Sequence, residues 1–346
     1  MNKSYNYLIK LIPTGKFFFG GEIGYKGRGR VQELTSYIVR SQIFPQQTTL
    51  LGALRYALWK LSEKPLIETP IGDTSFHLDK PLEPTNFGCI KNLSELYVYH
   101  QNQYYWLQPL YNLLEFDGTA LQGFDHKKTP PQYFASFKDI KEKDTLFQLS
   151  EQVGVITYAS KKRWGMDEDD AFYRQSFYQF KLPDDGFAFL IELDTTEYDK
   201  LKQKSLIMPV GGENSVFRVS IEPIPNDFKQ PVFQNKDTYI KIILTSDALL
   251  SNTMVDTADF AVTDIVDFRF LNTHKKNTKH WYDLKKYDKS DAAENRESPS
   301  FSRKHELFAR SSVFYFKNET DADKFKTDLE AQTAMRQIGY NQYISQ

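Results

Sequence analysis

The stretch FPQQTTLLGALRYALWK, residues 44–60, constrains the fold most tightly, because its apolar residues recur with the period of an α-helix. At about 100° per residue, one side of that helix collects Leu50, Leu54, Ala57, Leu58 and Leu61. Pro45 and the two glutamines after it mark the end of the preceding element. Thr48 or Thr49 can then act as the N-cap, because its side chain can accept a hydrogen bond from an early helical amide. The sequence predicts a helix over 48–61 with one buried face.

A second stripe runs along the opposite side of this helix, and it consists of Thr48, Gly52, Arg55 and Trp59. A solvated face more usually carries Glu and Lys, whereas Gly costs about 1 kcal/mol of helix stability relative to Ala. Gly also removes a side chain at a place where another chain can approach. The stripe is therefore interpreted as a contact face, either for an external partner or for another part of the same protein.

Composition predicts a globular protein without a membrane segment. The chain has 346 residues, with 26% charged and 40% apolar residues, and its longest apolar runs, such as FAFLIEL at 187–193, fall far short of the ~18 residues of a membrane-spanning helix. The N-terminus alternates like a strand and has no small-residue cleavage site, so we expect a first strand there and not a signal peptide. We expect a cytoplasmic protein of two domains, 1–150 and 151–346.

Metal and cofactor chemistry has no signature in the sequence. Cys89 is the only cysteine, which excludes an internal disulfide and a cysteine-based zinc cluster within the chain, and the six histidines are scattered. The net charge is −1, so a nucleic-acid site would have to be built from local concentrations of Arg and Lys. Aromatic residues make up 15% of the chain; most are assigned to the core, and a few can stack on unpaired bases.

Three cationic segments stand out. KFFFGGEIGYKGRGR, residues 16–30, is predicted to be a flexible loop that brings Arg28 and Arg30 close to a ligand, or else an exposed hairpin without one. KKRWG, 161–165, is a compact basic cluster followed by the acidic DEDD, which either orders it or forms an ordinary solvated turn. The polar region 273–304 begins with a lysine-rich half containing Trp281 and Tyr282, suited to RNA or merely solvated.

The remaining segments alternate between strand and helix patterns. Strands are predicted at 5–13, 217–221, 238–245 and 312–317, with a β-hairpin joining 172–180 to 187–194 through the PDDG turn. Helices are predicted at 197–206 and after 320, the latter opened by Thr320 and Asp323 with Phe325 and Leu329 inward. The order of elements predicts an α+β fold, an antiparallel sandwich in each half.

Several motifs, taken in order, resemble a known family. They are FFFGG (17–21), SQIFPQQTTLLGALR (41–55), FYRQSFYQF (172–180), VGGENSVFRV (210–219), SSVFYF (311–316) and IGYN (338–341). Together they are similar to the third subunit of the type III-B (Cmr) CRISPR effector complex, one of the repeat-associated mysterious proteins (RAMPs). Arg310 stands where relatives often have glycine before the serine, and IGYN has one glycine where many RAMP proteins keep a glycine-rich loop.

The resemblance implies two ferredoxin-like (RNA-recognition-like) domains with long loop insertions. It also implies a non-catalytic subunit that holds the 5′ handle of the CRISPR RNA and bridges the large palm-domain subunit to the adjacent backbone RAMP subunit. Onto this chain it carries Arg40, Ser41, Thr48, Thr49 and Arg55 as a handle-binding face, with the Gly211, Gly212 and Glu213 loop. The full set of candidate RNA-binding residues is Arg28, Arg30, Arg40, Ser41, Thr48, Thr49, Arg55, Lys161, Lys162, Arg163, Arg174, Gly211 and Gly212.

Two other functions compete with an RNA-binding scaffold. A metal-independent endoribonuclease processing CRISPR precursor RNA needs a base and a cation, which His274, His280 and Lys279 can supply, but a polar loop does not position them. The DEDD run does not make a metal site, because four consecutive acids cannot all face one ion. An adaptor that touches only protein would also fit the neutral net charge. Steep salt dependence of RNA binding distinguishes the scaffold from the adaptor.

Overall fold

The computed structural model describes residues 5–20, 23–25, 37–62, 87–109, 114, 116–125, 127, 131–155, 172–193, 204–226, 228–229, 239–268, 271–272, 300–301 and 305–346. Strands are numbered β1 to β21 and helices α1 to α5 in chain order. Predictions that fall on Arg28, Arg30, Lys161, Lys162 and Arg163 lie outside the described residues, as do those on His274 and His280.

The largest sheet, called here the large sheet, is antiparallel and has β1 in its interior. β1 pairs with β11 on one side and β13 on the other, so that Ile9 lies opposite both Phe189 and Ile221. The strand order is β12-β13-β1-β11-β5-β6-β7-β8, with β4 also on β11. The bounds are β1 (Tyr7–Pro13), β4 (Ile90–Leu93), β5 (Tyr97–His100), β6 (Gln103–Leu107), β7 (Tyr133–Ala135), β8 (Ile140–Glu142), β11 (Gly186–Leu193), β12 (Ser205–Pro209) and β13 (Val216–Pro223).

A second sheet, the small sheet, has the order β2-β3-β10-β9. Its strands are β2 (Ile23–Tyr25), β3 (Tyr37–Arg40), β9 (Phe147–Val155) and β10 (Phe172–Phe180), and β3 runs parallel to β10. The predicted hairpin between 172–180 and 187–194 is wrong, because β10 pairs with β9 and β11 lies in the large sheet. The physical reason is that FAFLIEL is apolar on both faces and needs the interior place beside β1.

The C-terminal sheet has the order β15-β20-β14-β21. Its strands are β14 (Ile240–Leu244), β15 (Phe260–Val262), β20 (Val313–Phe316) and β21 (Tyr343–Ser345), and the shorter pairs are β16 (Ile265–Phe268) with β19 (His305–Phe308) and β17 (Leu271–Asn272) with β18 (Ser300–Phe301). The helices are α1 (Gln47–Ser62), α2 (Lys143–Leu146), α3 (Asn252–Val255), α4 (Glu319–Ala331) and α5 (Thr333–Gln337).

Helix α4 covers the C-terminal sheet. Phe325 and Leu329 are fully buried, as predicted, and the ring centroid of Phe325 lies 4.8 Å from that of Phe314. The N-cap is not Thr320 but Asn318, whose side-chain oxygen accepts a hydrogen bond from the Asp321 amide at 2.9 Å. An Asn side chain two residues earlier offers the better capping oxygen, so the helix begins earlier than predicted.

Helix α1 packs its apolar face into the core, as its period predicts. The main core cluster contains the whole predicted face: Leu50, Leu54, Ala57, Leu58 and Leu61. It also contains phenylalanines of β11 and β13, the two strands that pair with β1. The helix begins at Gln47, because the amides of Thr49 and Leu50 both donate to the carbonyl of Gln46. The predicted N-cap at Thr48 or Thr49 is therefore wrong, and both threonines lie in the first turn.

The described elements establish the predicted mixed α+β class. The large sheet takes strands from both sides of residue 150, and the strands of the C-terminal sheet all lie after Pro223. The domain division at 150 stays a prediction. Of the helix predicted at 197–206, residues 197–203 lie outside the described residues, and 205–206 belong to β12.

Candidate nucleic-acid interface

The candidate interface is built around the backbone of Phe17, Phe18 and Phe19, whose side chains are buried. The Phe19 carbonyl accepts a hydrogen bond from the Gln42 amide at 3.1 Å, and the Phe18 carbonyl accepts one from the Gly212 amide at 3.0 Å. Three motif segments that are far apart in sequence therefore meet here. The prediction of a flexible loop over 16–30 is wrong for these phenylalanines, because burying three aromatic rings outweighs the freedom of the glycines after them.

Ser41 lies inside this junction and not on its surface. Its side chain is buried, its hydroxyl accepts a hydrogen bond from the Phe19 amide at 2.9 Å, and it donates one to the Gln42 carbonyl at 2.8 Å. The hydroxyl is thus used within the protein. Ser41 can shape the segment that follows Arg40, whereas direct contact with a ligand would require these bonds to break.

Gly211 and Gly212 bring the second motif against the first. Gly211 has a φ of +86°, and a Cβ added to it would lie 2.6 Å from Cδ1 of Phe19 and 2.7 Å from the Phe18 carbonyl oxygen. Only glycine fits such an approach. Ser215 completes the junction, since its hydroxyl accepts from the Phe18 amide at 2.8 Å and donates to the Gly212 carbonyl at 2.7 Å. The sequence analysis missed Ser215, although its place in VGGENS was a signal.

Arg40 and Arg174 lie on neighbouring strands of the small sheet. Ser176 of β10 is paired with Arg40 of β3, so Arg174, two residues before Ser176, faces the same side as Arg40. Both arginine side chains are exposed. Within the described residues, neither makes an ion pair. The fold therefore places two cationic side chains together that are separated by more than a hundred residues in the sequence.

The second stripe of α1 is partly accessible to solvent, and some of its residues make contacts within the protein. Gly52 is exposed, and a Cβ at that position would meet nothing within 4 Å. Thr48, Thr49 and Arg55 are half-buried, and Arg55 also has an interaction partner within the protein. At the far end, Nζ of Lys60 lies 4.2 Å from the centroid of the Trp59 ring. The stripe therefore combines an exposed glycine with polar and cationic side chains that are half-buried.

The start of α1 has a partner that the sequence analysis missed. Tyr340, from the terminal IGYN, is fully buried, and its hydroxyl donates a hydrogen bond to Oε1 of Gln46 at 3.0 Å. Burial raises the pKa of Tyr340 far above its usual value, while hydrogen bonds from the hydroxyl and amide of Thr48 act in the opposite direction. The residue just before the helix is thus tied to the C-terminal part of the chain. No local signal reveals a partner 294 residues away.

Neither a metal centre nor a membrane span is found in the part of the chain that the structure describes. No group of three or more His, Cys, Asp or Glu residues there has the arrangement to hold a metal ion. Among the same residues, no helix combines the length and apolarity needed to cross a bilayer.

Comparison with known proteins places the chain in a family. The model of a family described as CRISPR-associated protein (Cas_Cmr3) matches residues 126–345. The chain belongs to this family. The match confirms the resemblance to the third subunit of the type III-B (Cmr) complex that the sequence motifs carry. A search of curated proteins gave no significant match.

Solved structures share the fold over almost the whole chain. A chain in the cryo-EM structure of the Type III-B Cmr-beta bound to cognate target RNA matches with a TM-score of 0.51 and 14% identity, covering 98% of this chain and 96% of that one. A chain in the same assembly bound to cognate target RNA and AMPPnP, state 1, matches with a TM-score of 0.52 and 13% identity, at the same coverage. At these identities the likeness concerns the fold.

Proposed function

We propose that this protein is a non-catalytic, RNA-binding scaffold subunit of a type III-B CRISPR effector complex. It holds the 5′ handle of the CRISPR RNA and bridges the large palm-domain subunit to the adjacent backbone RAMP subunit. The observation that carries the proposal is the junction at Phe17–Phe19. There, the motif segments that mark the family meet beside the exposed Arg40.

The candidate residues divide into two roles. Arg40 and Arg174 are exposed on one face of the small sheet and offer guanidinium groups to phosphates, which is the strongest form of phosphate contact available to a side chain. Thr48, Thr49 and Arg55, which lie on α1, belong to the same proposed RNA-binding set. Ser41, Gly211 and Gly212 hold the backbone that presents these groups.

The proposal also includes RNA-binding candidates that lie outside the described residues, and an assignment of the domains. Arg28 and Arg30 in the glycine-rich loop, and Lys161, Lys162 and Arg163 in the basic cluster, complete the proposed RNA-binding set. Two ferredoxin-like domains are part of the same proposal. It is supported by the fold shared with chains of Type III-B Cmr-beta assemblies that were bound to cognate target RNA.

The test is the RNA content of the assembly purified from its native host. The double variant Arg40→Glu with Arg55→Glu is expected to lose most of its CRISPR RNA, because two cationic contacts become repulsive. Arg218→Glu is the matched control, since Arg218 is exposed on β13 and pairs only loosely with Asp184 at 3.3 Å. Unchanged RNA in the double variant contradicts the assignment of this face.

The endoribonuclease alternative is tested separately. Labelled precursor RNA incubated with the protein in a metal chelator is expected to remain intact. Cutting that His280→Ala abolishes would establish the enzyme instead.

A further inference from the structure

We propose that Tyr340, supported by Arg310, is a positioning residue that fixes the first turn of α1 against the C-terminal sheet. In this way the C-terminal end of the chain sets the position of the segment between Arg40 and Thr49. The consequence for RNA rests on the proposed function, whereas the effect on the helix does not.

The contact of Tyr340 anchors the residue at which α1 starts. The carbonyl of Gln46 accepts from the amides of Thr49 and Leu50, so Gln46 occupies the N-cap position. The hydroxyl of Tyr340 donates a hydrogen bond to the side-chain oxygen of the same residue at 3.0 Å. The start of the helix is therefore tied to a residue near the other end of the chain.

The turn that carries Tyr340 is held tightly against the same place. Gly339 has a φ of +92°, and a Cβ added there would lie 2.4 Å from the Ser94 carbonyl oxygen and 2.9 Å from Oε1 of Gln47. Asn341 fixes the other side of the turn, because its amide donates to the Asp247 carbonyl at 3.1 Å and its side-chain oxygen accepts from the Leu249 amide at 2.9 Å. The hydroxyl of Tyr340 has little freedom to leave α1.

Arg310 makes a second connection to the residues before the helix. Its guanidinium carbon lies 4.2 Å from the centroid of the Phe44 ring, and its Nε donates to Oδ1 of Asp247 at 3.3 Å. The Arg310 side chain is only 7% exposed, and within the described residues Nη1 and Nη2 have no hydrogen-bond partner. A buried guanidinium needs compensation, which the carboxylate of Asp247 and the face of the Phe44 ring supply, so Arg310 links these two groups.

These contacts converge on the segment that links the exposed arginine to the helix. Arg310 lies against Phe44, Tyr340 bonds Gln46, and the side chain of Gln47 lies close to the turn at Gly339. Arg40 lies four residues before Phe44 in the chain. Arg40 itself stays paired in the small sheet, so loosening the start of α1 is expected to displace Thr48 and Thr49 relative to Arg40.

The experiment compares Tyr340→Phe with Tyr343→Phe in the full chain. Both variants remove one hydroxyl, but that of Tyr343 donates to Glu330 on α4 at 2.9 Å and does not touch α1. Amide hydrogen exchange is measured over residues 46–51, and affinity is measured for a single-stranded RNA carrying a CRISPR 5′ handle. Tyr340→Phe is expected to accelerate exchange in this peptide and to weaken RNA binding about five-fold, the scale of one lost hydrogen bond.

Three results bear on the proposal in different ways. Exchange over 46–51 that is the same in Tyr340→Phe and Tyr343→Phe overturns it. Faster exchange with unchanged RNA affinity shows that Tyr340 stabilises the helix without positioning the RNA contacts, which also overturns it. If the wild-type protein binds no RNA, the proposed function fails, and the exchange result alone decides whether Tyr340 fixes α1. Arg310→Lys, which keeps the charge but loses the guanidinium group that lies over Phe44, is expected to act like Tyr340→Phe.

Discussion

Single residues decide how closely the two motif segments approach at the junction. Gly211 meets Phe18 and Phe19 at distances that no Cβ can occupy, while Gly20, just after Phe19 in the chain, has nothing within 4 Å of its hypothetical Cβ. The two glycines of the family motifs thus have different reasons to be glycine. Gly211 is required by the fold, and Gly20 is not.

Gly211→Ala is expected to lower the free energy of unfolding by about 2 kcal/mol or more, because it combines left-handed backbone strain with a clash against a backbone carbonyl. Gly20→Ala is the control and is expected to change the free energy by less than about 0.5 kcal/mol. Denaturant unfolding of both variants makes the comparison. Equal stability of the two variants would contradict the role given to Gly211.

At the scale of elements, α1 shows which features the sequence predicts and which it does not. The apolar period predicted the buried face correctly, since Leu50, Leu54 and Leu58 depend only on local spacing. The contact of Gln46 with Tyr340 and the pairing of β11 with β1 depend on partners far away in the chain. The residues beside Gln46 and β11 do not reveal these partners, so the hairpin prediction is wrong and the Tyr340 contact is absent from the predictions.

Gly52→Ala tests the contributions of this position to helix stability and to RNA binding separately. The position is open, so the change is expected to raise the free energy of unfolding by about 0.5–1 kcal/mol through helix propensity. If an RNA backbone lies against this face, the same methyl group is expected to weaken RNA binding several-fold. Thermal unfolding and RNA titration on the one variant measure both effects. Greater stability with unchanged RNA affinity would contradict the placement of RNA at Gly52.

At the scale of the whole molecule, the proposed function requires a chain with a net charge of −1 to bind a polyanion. The fold solves this by bringing together groups from distant segments, as with Arg40 and Arg174 on adjacent strands. The sequence could name these arginines as candidates, but only strand pairing places them on one face. An RNA site on a neutral protein is therefore a local property, and its binding should depend on a few cationic side chains.

The salt dependence of RNA binding tests this central claim most directly. The logarithm of the affinity for a single-stranded RNA carrying a CRISPR 5′ handle is measured against the logarithm of salt concentration for the wild-type protein, Arg40→Ala and Arg218→Ala. Each lost phosphate contact is expected to reduce the slope by about 0.7. The account predicts a shallower slope and weaker binding for Arg40→Ala, with Arg218→Ala like the wild type. Equal slopes for Arg40→Ala and the wild type would contradict it.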